Sequence, residues 1–312
     1  MPTEARILSY TDCEAALDEV RSLSRDYTHL WREFSAGESL IDAMAGIRRQ
    51  VDPDNPYFFG EMANGIRFAG DARDFPSVLH ALYPECNAHL IGGLIHELGD
   101  RKGDILDIGT NIGVVAASLA RHLGERGQVH AFEPSPDTAR MAAATIALNG
   151  LRNVTLTEAA ISETDGEITF HATPGNSAIA SAIQHDFSLL NEWREINVAC
   201  LSIDSIIKSR KINHLLLIKV DVEGHEISVL RGGLGTFRHL KPSIIFEYSP
   251  VAACQQGLTS QEPLRLINST GPFAYRALVE PRIDIDHLPG LWLSFPLAEH
   301  VRDQVNVFAT PI

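Results

Sequence analysis

Between residues 103 and 248 the chain repeats one pattern: a short apolar run, a turn, then a stretch with helical spacing. Apolar runs lie near Ile105, Val129, Val154, Leu216 and Ile244. Helical patterns follow the first, second and fourth, and the first of these helices is expected from Val114 to Leu123. Strands alternating with helices predict an α/β fold, a doubly wound, mostly parallel sheet with helices on both faces. Between the third and fourth runs the spacing predicts an insertion with two further strands, at 167–171 and 197–201. Its polar stretch, Thr173 to Ser177, is expected to form one wall of an acceptor pocket. No internal repeat or low-complexity tract interrupts this order.

The first 100 residues follow a different pattern. Thr11 to Glu14 fits a capping box, with Glu14 reaching back to the cap. Leu17, Val20, Leu23, Tyr27, Leu30, Trp31 and Phe34 then recur at three or four residues and predict one amphipathic helix ending at Gly37. Ser39 is expected to cap a second helix running through Arg49, with Leu40, Met44 and Ile47 turned inward. Asn64-Gly65 between 58–62 and 66–69 predicts a hairpin. A helix over 88–98 should stop at Gly99. This divides the chain into an accessory region at 1–100, serving as scaffold, lid or dimer contact, and a larger domain at 101–312.

Composition narrows the class. The chain has 312 residues, 45% of them hydrophobic, and a formal net charge of −14. An acidic surface without a Lys/Arg block disfavours nucleic acid and anionic membranes as partners. Cys13, Cys86, Cys200 and Cys254 lack C-x-x-C spacing, so reduced thiols are expected and zinc is not. The start of the chain lacks the charged and apolar pattern of a signal peptide, and no run of about 18 apolar residues occurs. A cytoplasmic enzyme is the expectation.

The candidate chemistry begins where the first strand ends. Asp107, Gly109 and Gly113 follow a D-x-G-x-x-x-G spacing before a helix. Glycines there let backbone approach a ligand, and the helix start offers free N–H groups. The dinucleotide fingerprint G-x-G-x-x-G is absent, as is a Gly-Lys-Ser/Thr phosphate loop. Glu133 closes the second strand 24 residues after Gly109. An acid there can accept from both hydroxyls of a ribose. A ribose acid without a pyrophosphate loop suits S-adenosylmethionine, a nucleoside with no phosphate.

The fourth strand carries charge at its carboxyl end. Lys219, Asp221 and Glu223 alternate with Val220 and Val222, so period two sets the three on one face. An internal network of Lys219 with Asp221 and Glu247 is the structural alternative to a catalytic role. Glu223 can cap the next helix, and His225, titrating near neutrality, is a candidate base. A magnesium ion held by Asp221 and Glu247 is the less favoured route, and no metal ligand is assigned.

These stretches together resemble the FkbM family of S-adenosylmethionine-dependent methyltransferases. They are DIGTNIG at 107–113, AFEP at 131–134, LNG at 148–150, AAI at 159–161 with Asp165 and Gly166, and LSID at 201–204. The most specific is IKVDVEGHE at 218–226, followed by VLRG at 229–232, with a weaker tail near Asn306 to Phe308. The resemblance implies a Rossmann-like class I methyltransferase fold at 101–312. It implies methyl transfer to a hydroxyl, on a sugar or secondary metabolite, with S-adenosylhomocysteine as product. Residues and resemblance together give a cofactor set of Asp107, Gly109, Asn111, Ile112, Gly113, Glu133, Ala160 and Asp221. The catalytic candidates are Asp221, Glu223 and His225. A small hydroxyl-bearing acceptor is the expected partner, and a homodimer is left open. Two rivals differ in what they require. A nicotinamide oxidoreductase needs a third glycine near Gly109, and a non-catalytic adenosine-binding module has no use for the Lys219–Asp221–Glu223 cluster.

Overall fold

The computed structural model describes residues 3–30, 46–173, 175–182, 194–249, 253–254, 256–279, 291–294 and 305–312. Its strands are β1 Arg6–Leu8, β2 Tyr57–Glu61, β3 Arg67–Asp71, β4 Asp104–Ile108, β5 Val129–Phe132, β6 Val154–Glu158, β7 Ala160–Ile161, β8 Gly166–Ala172, β9 Arg194–Leu201, β10 Leu215–Val220, β11 Ser243–Tyr248, β12 Phe273–Val279, β13 Leu291–Ser294 and β14 Val305–Pro311. Its longer helices are α1 Tyr10–Ser22, α2 Phe75–Leu82, α3 Ala88–Leu98, α4 Val114–Leu123, α5 Pro136–Leu148, α6 Ile203–Arg210, α7 Glu226–Arg231, α8 Leu234–Leu240 and α9 Glu262–Asn268.

Nine strands form one sheet in the order β1-β6-β5-β4-β10-β11-β14-β12-β13. The five from β6 to β11 are mutually parallel. The order runs outward from β4 through β5 to β6, then restarts on the other side of β4 with β10 and β11. The switch point therefore lies between β4 and β10, whose carboxyl ends frame a crevice. β14 lies antiparallel on β11, and β1 lies antiparallel on β6 at the opposite edge. The fold is the expected doubly wound, Rossmann-like one.

Two apolar layers cover the sheet. One joins α1, the β2–β3 hairpin, α2 and α3 with α4 and α5; the other gathers α6 to α9. The described residues of the first 100 thus share the core of one face. The hairpin tip docks on α4 and α5. Asn64 donates to Ser118 Oγ at 3.0 Å, Arg67 N–H to Asn149 Oδ1 at 3.1 Å, and Ala69 N–H to Thr145 Oγ1 at 3.0 Å.

Several expectations need correction. The capping box of α1 is built by Ser9 and Asp12, each accepting from the other's backbone N–H, in place of Thr11 and Glu14. The helix ends at Ser22 because Ser24 bridges to Tyr57 and Arg25 N–H donates to Tyr57 O at 2.8 Å. Tyr27 and Leu30 are still buried, so their apolar spacing reported burial and not one continuous helix. Trp31, Phe34, Gly37, Ser39, Leu40 and Met44 lie outside the described residues, whereas 46–50 is helical with Ile47 buried. The hairpin, the helix over 88–98 and all five central strands stand where the pattern set them. The inserted strands β8 and β9 pair with each other and with β7 in a separate three-stranded sheet. Helices α2 and α6 were not expected. Yet Asp74 caps α2 ahead of Pro76 in its first turn, and Ser202 caps α6.

Candidate functional site

β4 and β10 bring the two sequence motifs together. Backbone bonds bind the glycine loop to its neighbours: Gly109 and Thr110 N–H donate to Phe132 O, and Asp221 N–H donates to Ile108 O at 3.1 Å. Gly109 has φ +76°, and a Cβ there would stand 1.8 Å from the Asp221 carbonyl oxygen. The sequence reason for this glycine is close approach to a ligand, and Gly109 does line the pocket. The structure adds a second reason, close approach to the chain just after β10, which any side chain would force apart. Gly113 serves a similar end, its φ of +84° setting a Cβ position 3.1 Å from Ala142 Cα. It supports the loop by packing on α5 and is not among the residues lining the pocket.

Asp107 and Lys219 lie beneath the loop. The Lys219 ammonium is 3.3 Å from Asp107 Oδ1 and 3.2 Å from Asp221 Oδ2, and donates to Gly109 O at 3.2 Å. Asp107 is fully buried and accepts from Thr110 Oγ1 at 2.7 Å. Burial works against the charge on Lys219, but Asp221 and Asp107 outweigh it and raise its pKa above the usual lysine value. The expected network is therefore present with Asp107 where Glu247 was named. Asp107 holds the loop from below, and Asp221 reaches the pocket lining.

Glu133 closes β5 at the other side of the loop. Its carboxylate accepts from Asn111 N–H and Ser135 N–H, both at 3.0 Å. A carboxylate has about four acceptor positions, so two remain after these bonds. Burial pushes its pKa up to about 7. A buried acid in the lining, its backbone partners on one side and free acceptor capacity on the other, fits a ribose diol. Asn111, which has φ +50°, keeps its N–H aimed at Glu133 and accepts from Ile112 N–H at 2.8 Å. Asn111, Ile112 and Ala160 also line the pocket.

The turn after β10 carries the catalytic candidates. Asp221, Glu223 and His225 all line the pocket. Glu223 has φ +52°, beyond the end of the strand. It does not cap α7: the carboxylate of Glu226 takes the N–H groups of Val222 and Gly224 instead, at 3.2 and 3.1 Å. Burial, with Glu247 and Asp221 close by, raises the pKa of Glu223 well above the ordinary range. Carboxylate oxygens of Asp221, Glu223 and Glu247 lie within 4.8 Å of one another, a spacing that could hold a divalent cation. His225 is buried against Ser162 Oγ at 2.9 Å, and burial lowers its pKa to about 4. It is neutral at physiological pH and a weak base.

Two further segments line the pocket, one that the sequence reading did not expect and one that it did. Phe75, Pro76 and Leu79 come from α2, with Cys86 and Asn87 just before α3; Ser177 and Ala178 come from the insertion. The Thr173–Ser177 stretch had been named as a wall, and Ser177 is the part of it in the lining. For α2 the sequence held a capping signal at Asp74 but nothing that aimed the helix at the glycine loop.

The description "Methyltransferase FkbM domain" belongs to a family model that matches residues 107–272. A hexuronic acid methyltransferase of Haloferax volcanii is 30% identical over 45% of this chain and 53% of its own length. A 2-O-methyltransferase of Sinorhizobium fredii is 30% identical over 52% of this chain and 68% of its own length. The chain thus spans about half of the first relative and about two thirds of the second. Among solved structures, a methyltransferase FkbM from Methylobacillus flagellatus aligns at a TM-score of 0.41 and 18% identity, covering 67% of this chain and 43% of that one. The family match takes in the glycine loop, Glu133 and the charged turn, and it extends over more than half of the 312 residues; the chain belongs to the FkbM methyltransferase family.

Proposed function

We propose that the protein transfers a methyl group from S-adenosylmethionine to a hydroxyl of a small acceptor, in the class of sugars and secondary metabolites. The observation that carries this reading is the pairing of Glu133, at the end of β5, with the Gly109–Asn111 loop at the end of β4, beside the switch point. Glu133 receives the ribose hydroxyls, and Ala160 and Ile112 flank the nucleoside. S-adenosylmethionine supplies an already activated methyl, so the protein mainly has to align the acceptor oxygen and accept its proton.

Among the candidates, Glu223 suits the proton step best. Burial beside Glu247 and Asp221 raises its pKa above the ordinary carboxylate range, which makes its ionised form a stronger base than an exposed carboxylate. Asp221, held by Lys219, orients the donor side of the pocket, and neutral His225 supports the turn through Ser162. Lys219 is the sole lysine or arginine in the described lining, and two carboxylates already share it. That environment disfavours an anionic acceptor, so neutral glycosides should be methylated in preference to uronates. The accessory region at 1–100 takes the role of scaffold and pocket wall, α2 contributing Phe75, Pro76 and Leu79 to the lining.

The test is binding of S-adenosylhomocysteine against NAD by calorimetry, then turnover on a panel of neutral and acidic glycosides. Tight NAD binding without S-adenosylhomocysteine binding would overturn the reading. The panel should be run with and without EDTA. Activity that survives chelation fits a carboxylate base. Activity lost and then restored by magnesium would assign Asp221, Glu223 and Glu247 to a metal.

A further inference from the structure

A continuous line of hydrogen bonds runs from the accessory region to the ribose acid. Asp74, the N-cap of α2, accepts from Ser77 N–H at 3.2 Å and Ser77 Oγ at 2.9 Å. The same carboxylate accepts from Ser177 N–H at 2.8 Å and Ser177 Oγ at 3.2 Å. Ser177 Oγ in turn accepts from Asn111 Nδ2 at 3.1 Å. Asn111 N–H then reaches Glu133 at 3.0 Å. The Ser177 hydroxyl has two acceptors within reach, Asp74 at 3.2 Å and Asn111 Oδ1 at 3.4 Å; the shorter bond to Asp74 leaves its lone pair to Asn111 Nδ2.

Three elements distant in sequence meet on this line. Phe75 N–H donates to Gly175 O at 3.0 Å, and the Arg48 guanidinium also holds Gly175 O, so the inserted segment is fixed to the accessory region. At the other end of that segment the Ser181 hydroxyl contacts the carbonyls of Val222 and Glu223, at 3.3 and 2.8 Å. The segment at 175–182 therefore crosses the pocket, from α2 and the glycine loop to the charged turn. Beside it α2 contributes Phe75, Pro76 and Leu79 to the lining.

We propose that Asp74 is a positioning residue for the cofactor site, acting through Ser177 and Asn111 to set the orientation of the ribose acid Glu133. Asn111 sits at φ +50°, a left-handed conformation that its side chain must hold in place. The Ser177 hydroxyl oriented by Asp74 provides that hold. Without it, the Asn111 side chain keeps only its bond from Ile112 N–H, and the N–H that fixes Glu133 is held less firmly in its aim. The inference rests on the reading of this pocket as the S-adenosylmethionine site.

Two substitutions separate this role from simple helix capping. Ser177→Ala cuts the line but leaves the Asp74 cap on Ser77 intact. Asp74→Ser keeps a good N-cap residue but cannot serve both Ser77 and Ser177. Each should weaken S-adenosylhomocysteine binding about tenfold in calorimetry, the scale of one hydrogen bond to a charged group. Adenosine alone should lose the same factor, since the line acts on the ribose end. Because the residues act in series, the double variant should be no weaker than the weaker single one. The melting temperature of Ser177→Ala should stay close to that of the wild type. Wild-type affinity in folded Ser177→Ala, or losses that multiply in the double variant, would overturn the positioning role alone. If Asp74→Ser does not fold, Ser177→Ala decides by itself. Failure of the wild type to bind S-adenosylhomocysteine would overturn the cofactor reading together with it.

Discussion

At the scale of single residues the site depends on which ionisable groups are governed by charged partners and which by burial. Glu133 is the second kind. Its pKa rises from the ordinary 4.5 to about 7 on burial, so between these values the folded protein keeps a proton that the unfolded chain has released. Stability from this group is full below pH 4.5 and is lost as pH rises through about 7. On the proposed role of Glu133, ribose hydroxyls would donate to the ionised form. Affinity for S-adenosylhomocysteine should therefore climb with pH up to about 7 and then level off. Calorimetry across that range measures it, and Glu133→Gln should be weaker and flat. Asp221 is the first kind. It shares Lys219 with Asp107, which lies 3.3 Å from the same ammonium, so Asp221→Asn leaves the buried lysine with one carboxylate. A small loss of melting temperature is expected. Lys219→Met strands fully buried Asp107 and should cost about 3–5 kcal/mol. If Asp221→Asn melts as far below the wild type as Lys219→Met does, the sharing is not equivalent.

At the scale of elements, the junction of β4 and β10 controls the site. A Cβ on Gly109 meets backbone of the adjacent strand at 1.8 Å, whereas one on Gly113 meets Ala142 at 3.1 Å. Gly109→Ala should abolish cofactor binding and lower the melting temperature substantially. Gly113→Ala should cost the milder price of left-handed backbone, about 1–2 kcal/mol, and keep binding. The reverse order in paired melts and titrations would mean that the strand contact is not what selects glycine. The same junction shows what the sequence makes legible. Strands covered on both faces read as unbroken apolar runs, so β4, β5 and β10 could be placed, and Gly109, Glu133 and Asp221 with them. Chain order alone could not show that Asp107 lies under Lys219, since that contact depends on the register of β4 against β10. Nor could it extend α1 correctly. Apolar spacing reports burial, and Tyr27 and Leu30 are buried by a chain that has already left the helix to meet Tyr57. The α2 wall was out of reach for a related reason: its capping signal marks where a helix starts and says nothing of what it faces.

At the scale of the whole molecule, the accessory region and the methyltransferase core are joined through one apolar layer. Cys13, Leu17 and Val20 of α1 are buried in the same cluster as Ala142 and Ile146 of α5, and Phe58 and Phe68 of the hairpin join it. β1 adds a strand to the sheet edge at β6. A layer of this kind cannot open on one side without exposing apolar surface on the other, and burial of such surface is the main stabilising term. Residues 1–100 should therefore not melt as a separate unit. Calorimetry should give one transition whose van't Hoff and calorimetric enthalpies agree. S-adenosylhomocysteine at about one hundred times its dissociation constant should stabilise that single transition by about 2.7 kcal/mol. Both halves should shift together, because α2 and the glycine loop line the same pocket. Two resolved transitions, with only the upper one responding to the ligand, would show that the shared layer is too weak to couple the accessory region to the cofactor site.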